Sequence, residues 1–173
     1  NVGGLLLGGT QIATARLYFN GSGPVTVSGT PTTEVSTVLS GPFNNLGVPG
    51  AKSYHLVAPG YGNVAGVATG AANPYFARMA SSSTASVLGD AMAMNPTFFT
   101  NWIGSNDVLA YATAGGAQAN GVTPAADHNE TGNLNPATYG FNDITNSGVF
   151  NNVYTNIINT LTINGAKGVV CTI

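Results

Sequence analysis

The segment Gly104-Ser105-Asn106-Asp107 combines a small, bendable turn with an asparagine carboxamide and main-chain amides. Neutral donors held in such a turn can hydrogen-bond an oxygen that gains negative charge during acyl transfer. The same four residues would also serve as an ordinary strand exit, with glycine bending the chain and Asp107 capping a helix. A second loop, Asn44-Asn45-Leu46-Gly47-Val48-Pro49-Gly50-Ala51, puts glycine where backbone can approach a ligand closely. Pro49-Gly50 is equally a common turn pair. His55, just after Lys52-Ser53-Tyr54, could line a pocket beside that loop or act as a base. Asp127-His128-Asn129-Glu130 gathers three potential metal ligands. Adjacent loop positions seldom converge on one ion, and no second cluster completes a site, so a solvated loop is expected there.

These residues must be positioned by regular elements. Ala15 to Phe19, the turn Asn20-Gly21-Ser22-Gly23-Pro24 and Val25-Thr26-Val27 predict a β-hairpin. Residues 1–13 are Gly-rich and apolar with no clear period, and residues 28–80 read as mostly irregular. Ser82 to Met94 predicts a helix capped by Ser83 or Thr84 and stopped at Asn95-Pro96, with Met92 and Met94 filling the core. Thr97 to Ile103 predicts a short aromatic strand whose Phe98, Phe99 and Trp102 are expected in the core. Val108 to Ala114 reads as a further helix, with Asp107 as its cap. Residues 115–147 form a second Gly/Asn/Pro-rich loop. In Val149 to Leu161 the apolar positions 149, 150, 153, 154, 157, 158 and 161 make one continuous helical stripe. Asn164-Gly165 ends that helix. Gly168 to Thr172 then predicts a buried strand, with Cys171 as a small buried hydrophobe. The order helix–strand–helix–strand, with a strand apolar on both faces, predicts an α/β fold whose parallel sheet is covered on both sides.

Composition narrows the function classes. The chain has 173 residues, long enough for about one domain with a proper core. Only 6% of residues are charged, against a usual share of about 25%. Asparagine, threonine and glycine replace the missing charge. Four cations, Arg16, Lys52, Arg78 and Lys167, within a net charge of −2 cannot build a basic face for nucleic acid. No stretch approaches the roughly 20 apolar residues of a membrane span. The low charge suggests an extracellular protein. Asn20-Gly21-Ser22 and Asn129-Glu130-Thr131 match the N-glycosylation pattern. The chain starts without Met, shows no signal-peptide organisation and ends within an expected strand, so both ends are expected to be cuts.

Asn45-Leu46-Gly47-Val48-Pro49-Gly50 resembles the second conserved block of SGNH (GDSL-type) hydrolases, and Trp102-Ile103-Gly104-Ser105-Asn106-Asp107 resembles their third, Gly-x-Asn-Asp after a strand. Further stretches are similar to secreted or lipid-anchored GDSL-like proteins of Bacteroidetes-type bacteria. They are Gly3-Gly4-Leu5-Leu6-Leu7-Gly8-Gly9, Gly29-Thr30-Pro31-Thr32-Thr33-Glu34-Val35-Ser36, Gly41-Pro42-Phe43-Asn44-Asn45, Gly50-Ala51-Lys52-Ser53-Tyr54-His55, Asn95-Pro96-Thr97-Phe98-Phe99 and Asn164-Gly165-Ala166-Lys167-Gly168-Val169-Val170.

The resemblance implies a three-layer α/β/α, flavodoxin-like fold, incomplete at both ends. Residues 1–173 would be a single partial domain, with the hairpin and insertion loops in 1–80 and the helix–strand–helix–strand part in 81–173. It implies hydrolysis of carboxylic or lipid esters by a secreted or outer-membrane-anchored protein, with no cofactor. Gly50 and Asn106 become oxyanion donors, with Gly104, Asp107 and His55 beside the substrate. The family's nucleophile block (Gly-Asp-Ser or Gly-Asn-Ser) and its Asp-x-x-His block are missing from the sequence. Ser105 is not the family nucleophile. The chain alone is therefore expected to be inactive, since an oxyanion hole without nucleophile and base leaves only residual catalysis. The second reading is a non-catalytic extracellular assembly module. In either case flanking segments or a neighbouring chain would be needed to complete the sheet.

Overall fold

The computed structural model describes residues 2–172. The chain divides into two compact units. One contains the stretch up to Val48 together with Pro59–Ala85; the other contains Pro49–Ala58 and the chain from Ser86 onward.

The first unit is built on short antiparallel pairs. β1 (Leu5–Leu7) pairs with β2 (Thr10–Ala13) in the stretch that showed no sequence period. Three or four residues per strand are too few to display one. Glu34 closes the turn between them, its carboxylate accepting the amides of Gly8 and Gly9 at 3.0 Å each. The expected Asn-Gly hairpin is present as β3 (Leu17–Phe19) and β4 (Pro24–Thr26). Residues 28–80 are largely irregular, apart from 3-10 turns and the one-turn helix α1 (Pro74–Ala77). Asn73 caps α1 by accepting from the amides of Tyr75 and Phe76. Leu5, Val35 and Ala77 form a small core, flanked by Leu7, Ala13, Val64 and Val67.

The second unit holds the Gly104–Asp107 block and, of the other, only its end from Pro49 onward. α2 (Val87–Ala93) starts later than the sequence suggests. Ser86, not Ser83 or Thr84, caps it by accepting from the Gly89 amide, because residues 82–85 are taken up in a turn of their own. β5 (Phe98–Asn101) leads into α3 (Asn106–Thr113), then the one-turn α4 (His128–Thr131), the long α5 (Ser147–Thr162) and β6 (Lys167–Val170). Every position of the α5 stripe is buried or half-buried, while Asn151, Asn152, Thr155, Asn156 and Asn159 are exposed. That apolar face packs on the 3-10 turn Ser53–Val57 and on α2.

β5 and β6 pair in parallel, in register Phe98↔Lys167 to Asn101↔Val170. The α/β order and the parallel pairing follow the sequence expectation. The covering does not. All four residues of β6 are exposed, Phe98 is 60% and Trp102 75% exposed, and Cys171, Met92 and Met94 are only half-buried. The physical reason is simple: two strands form a ribbon, and no described segment lies over these side chains. Gly168 is opposite Phe99, and a Cβ there would meet the ring at 2.5 Å. The aromatic ring thus occupies the space that the glycine leaves.

Candidate functional site

Within the second unit, the Pro49–Ala51 end of one loop singled out in the sequence meets the other at Asn106. The Asn106 side chain donates from Nδ2 to the carbonyl oxygen of Ala51 at 3.0 Å, bridging 55 positions of sequence. Ala51 directly follows Gly50. Gly50 is exposed, has φ +76° and has open space where a Cβ would stand. Its amide has no acceptor among the described residues. One carboxamide hydrogen of Asn106 is used to fix the side chain, and the second remains for another acceptor. Gly104 is buried with φ +133°, a conformation that only glycine adopts without strain, and it turns the chain out of β5 into α3.

Asp107 has a different role from the one expected. It lies inside the first turn of α3, where Ser105 occupies the cap position without a side-chain bond. The Asp107 carboxylate instead spans to the Gly50 loop. Its Oδ2 accepts the Ser53 amide at 2.9 Å and its Oδ1 accepts the Ser53 hydroxyl at 2.8 Å. Ser53 is fully buried and Asp107 nearly so. A helix N-terminus favours a carboxylate, and the turn-to-helix junction puts Asp107 there. This two-point clamp and the Asn106–Ala51 bond hold residues 51–53 against the start of α3.

His55 sits in the turn that follows. Its Nδ1 accepts from the Lys52 amide at 3.1 Å, and its ring packs edge-on to Tyr54. Burial, reinforced by the neighbouring Lys52 charge, pushes the imidazole down to about 4. A group so weakly basic is a poor proton acceptor near neutral pH.

Sequence reasoning missed a buried polar network behind these loops. Lys52 is nearly inaccessible, and its Nζ donates to the Asp143 carbonyl at 2.6 Å. Burial lowers the ammonium, with Asp107 and Asp143 pulling the other way. The Asp143 carboxylate accepts from the amides of Ala126 and Gly140, from Gln118 Nε2 and from His128 Nε2. Burial pushes its carboxyl up, but these donors outweigh it and the net displacement is downward. His128 Nδ1 bonds the Thr131 hydroxyl, and Tyr139 stacks on the ring at 3.7 Å.

The solvated loop expected at 127–130 is thus a helical turn whose histidine is buried. Its groups do not converge on one point. Asp127 Oδ1 accepts from Asn129, while both His128 nitrogens are engaged elsewhere. No group of three His, Cys, Asp or Glu side chains able to hold an ion occurs among the described residues. The only sequence signal for this network was a histidine among polar residues, which does not say where its partner lies.

Comparison with known proteins adds no relative. No family model, no curated protein and no solved structure matches this chain. Chemically, the arrangement offers an exposed glycine amide at Gly50 and a carboxamide, Asn106, fixed to the carbonyl of the next residue. Such donors suit an oxygen that acquires negative charge.

Proposed function

We propose that this chain is the oxyanion-stabilising part of a secreted SGNH-type serine esterase or lipase. The observation that carries the reading is the bond from Asn106 Nδ2 to Ala51 O, which ties the block resembling the family's third to the residue directly after the one resembling its second. The Gly50 amide and the second Asn106 hydrogen would then hold the carbonyl oxygen of a carboxylic or lipid ester as it becomes tetrahedral. Each such donor is commonly worth about 3 kcal/mol in the barrier. Gly104 supports the turn, and Asp107 acts through Ser53 as a positioning group. The nucleophilic serine and its histidine base would come from sequence adjoining 1–173, and the β5–β6 pair would be part of a larger parallel sheet in a three-layer α/β/α domain. The test is ester hydrolysis by the protein encoded with its adjoining sequence, assayed on p-nitrophenyl acetate and butyrate. Hydrolysis should fall about a hundredfold or more in Asn106→Ala. An Asn106→Ala enzyme as fast as its parent, or a parent without hydrolysis, refutes the reading.

A second reading is favoured by one observation of its own. The β5–β6 ribbon has no further strand on either edge among the described residues, and Phe98, Val169 and Val170 are exposed on it. Unpaired edges with apolar side chains invite strand addition. An extracellular assembly module would use them to join chains. Light scattering of the purified chain decides this: concentration-dependent oligomers support assembly, and a strict monomer of 17.4 kDa removes it.

A further inference from the structure

The sequence contains Asn-Gly at three places, 20–21, 120–121 and 164–165, and all six residues are exposed. Asn-Gly is the dipeptide most prone to succinimide formation, because glycine puts no side chain in the way of its own nitrogen. Exposure does not separate the three sites, but hydrogen bonding does. At the β3–β4 turn, Asn20 Oδ1 accepts the amides of Ser22 at 2.9 Å and Gly23 at 3.0 Å. These two donors polarise the carboxamide carbon and would stabilise the oxygen as it turns negative. The Gly21 amide, the attacking group, has no acceptor among the described residues.

Asn120 is an internal control. Its Oδ1 accepts two amides in the same way, from Val122 and Thr123. There, however, the attacking amide is tied up, Gly121 N–H donating to the Gln118 carbonyl at 2.8 Å. The leaving amide is held as well, Nδ2 donating to the Thr123 hydroxyl at 2.8 Å. At Asn164 the Gly165 amide donates to the Thr162 carbonyl at 2.8 Å, and no amide donates to the carboxamide oxygen. Only the first site combines an activated carboxamide with an unengaged nucleophile.

We infer that Asn20 is a built-in deamidation site of this protein, converted selectively in the folded state. The Gly21 nitrogen loses its proton to solvent and bonds to Asn20 Cγ, the Cγ–Nδ2 bond breaks, and the departing NH2 group takes up one proton in exchange to leave as ammonia. Water then opens the cyclic imide at either carbonyl, leaving aspartate or isoaspartate. The product adds one carboxylate to a chain of net charge −2. The isoaspartate form also adds a methylene to the backbone of the β3–β4 turn.

The test is peptide mapping by mass spectrometry with an isoaspartate-sensitive separation, after timed incubation of the intact chain in mildly alkaline buffer. Folded protein should deamidate at Asn20 at least about fivefold faster than at Asn120 or Asn164, the factor that corresponds to breaking one backbone hydrogen bond. In concentrated urea, where all three are bare Asn-Gly pairs, the spread should collapse. Asn120 or Asn164 keeping pace with Asn20 in the folded protein overturns the inference. So does a spread that persists unchanged in urea, because local sequence would then explain it.

Discussion

Replacing Asp107 by alanine is the sharpest test of how the candidate site is held. Asp107 gives two acceptors to Ser53, at 2.9 and 2.8 Å, and Ser53 has no exposed surface. Removing the carboxylate leaves a buried N–H and a buried O–H without partners. Hydrogen bonds to charged groups contribute about 1.5–3 kcal/mol each, and the relief of the buried carboxylate offsets part of the loss. The expected local cost is about 3 kcal/mol. Because the chain has two units, the readout should be local rather than a single global transition. Amide hydrogen exchange at Ser53 should accelerate by about two orders of magnitude, and the Asn106 side-chain amide resonances should move toward solvent-exposed values. Ser53→Ala removes only the hydroxyl and should cost about 1.5 kcal/mol. The double variant should cost clearly less than the sum, because the two changes remove one shared bond. Strict additivity, or Ser53 exchange unchanged in Asp107→Ala, would show that the clamp is not what holds residues 51–53.

Two further outcomes are expected. His55 should titrate in an NMR experiment with a midpoint near 4, against 6.5 for an unperturbed imidazole. Its folded value is depressed, so its contribution to stability is complete above about pH 6.5 and is lost as pH falls from there toward 4. A midpoint above 6 would show that the imidazole is not desolvated by burial. Ile157→Ala removes a nearly inaccessible side chain from the α5 stripe and should cost about 2–5 kcal/mol. Far-UV circular dichroism during urea unfolding measures this, and a cost below about 1 kcal/mol would mean that α5 does not anchor its unit.

Local chemistry alone determined several features of this protein. The α5 stripe follows from apolar side chains recurring at 3.6-residue spacing, and each chosen position is indeed covered. The Asn20-Gly21 turn was legible because few residues reverse a hairpin that tightly. The Gly104-Ser105-Asn106-Asp107 turn was legible as a strand exit into a helix. The parallel pairing of β5 and β6 was legible from the helix between them. Tertiary structure decided what depends on partners distant in sequence. Asp107 looked like a helix cap, but its oxygens go to Ser53, 54 residues away. His128 looked solvated, but Asp143 and Tyr139 enclose it. Phe98 and Trp102 looked like core, but nothing described covers them. Side-chain type reports a residue's own hydration cost and backbone preference; it does not report which neighbour arrives to satisfy a donor or shield a ring, because that depends on long-range packing.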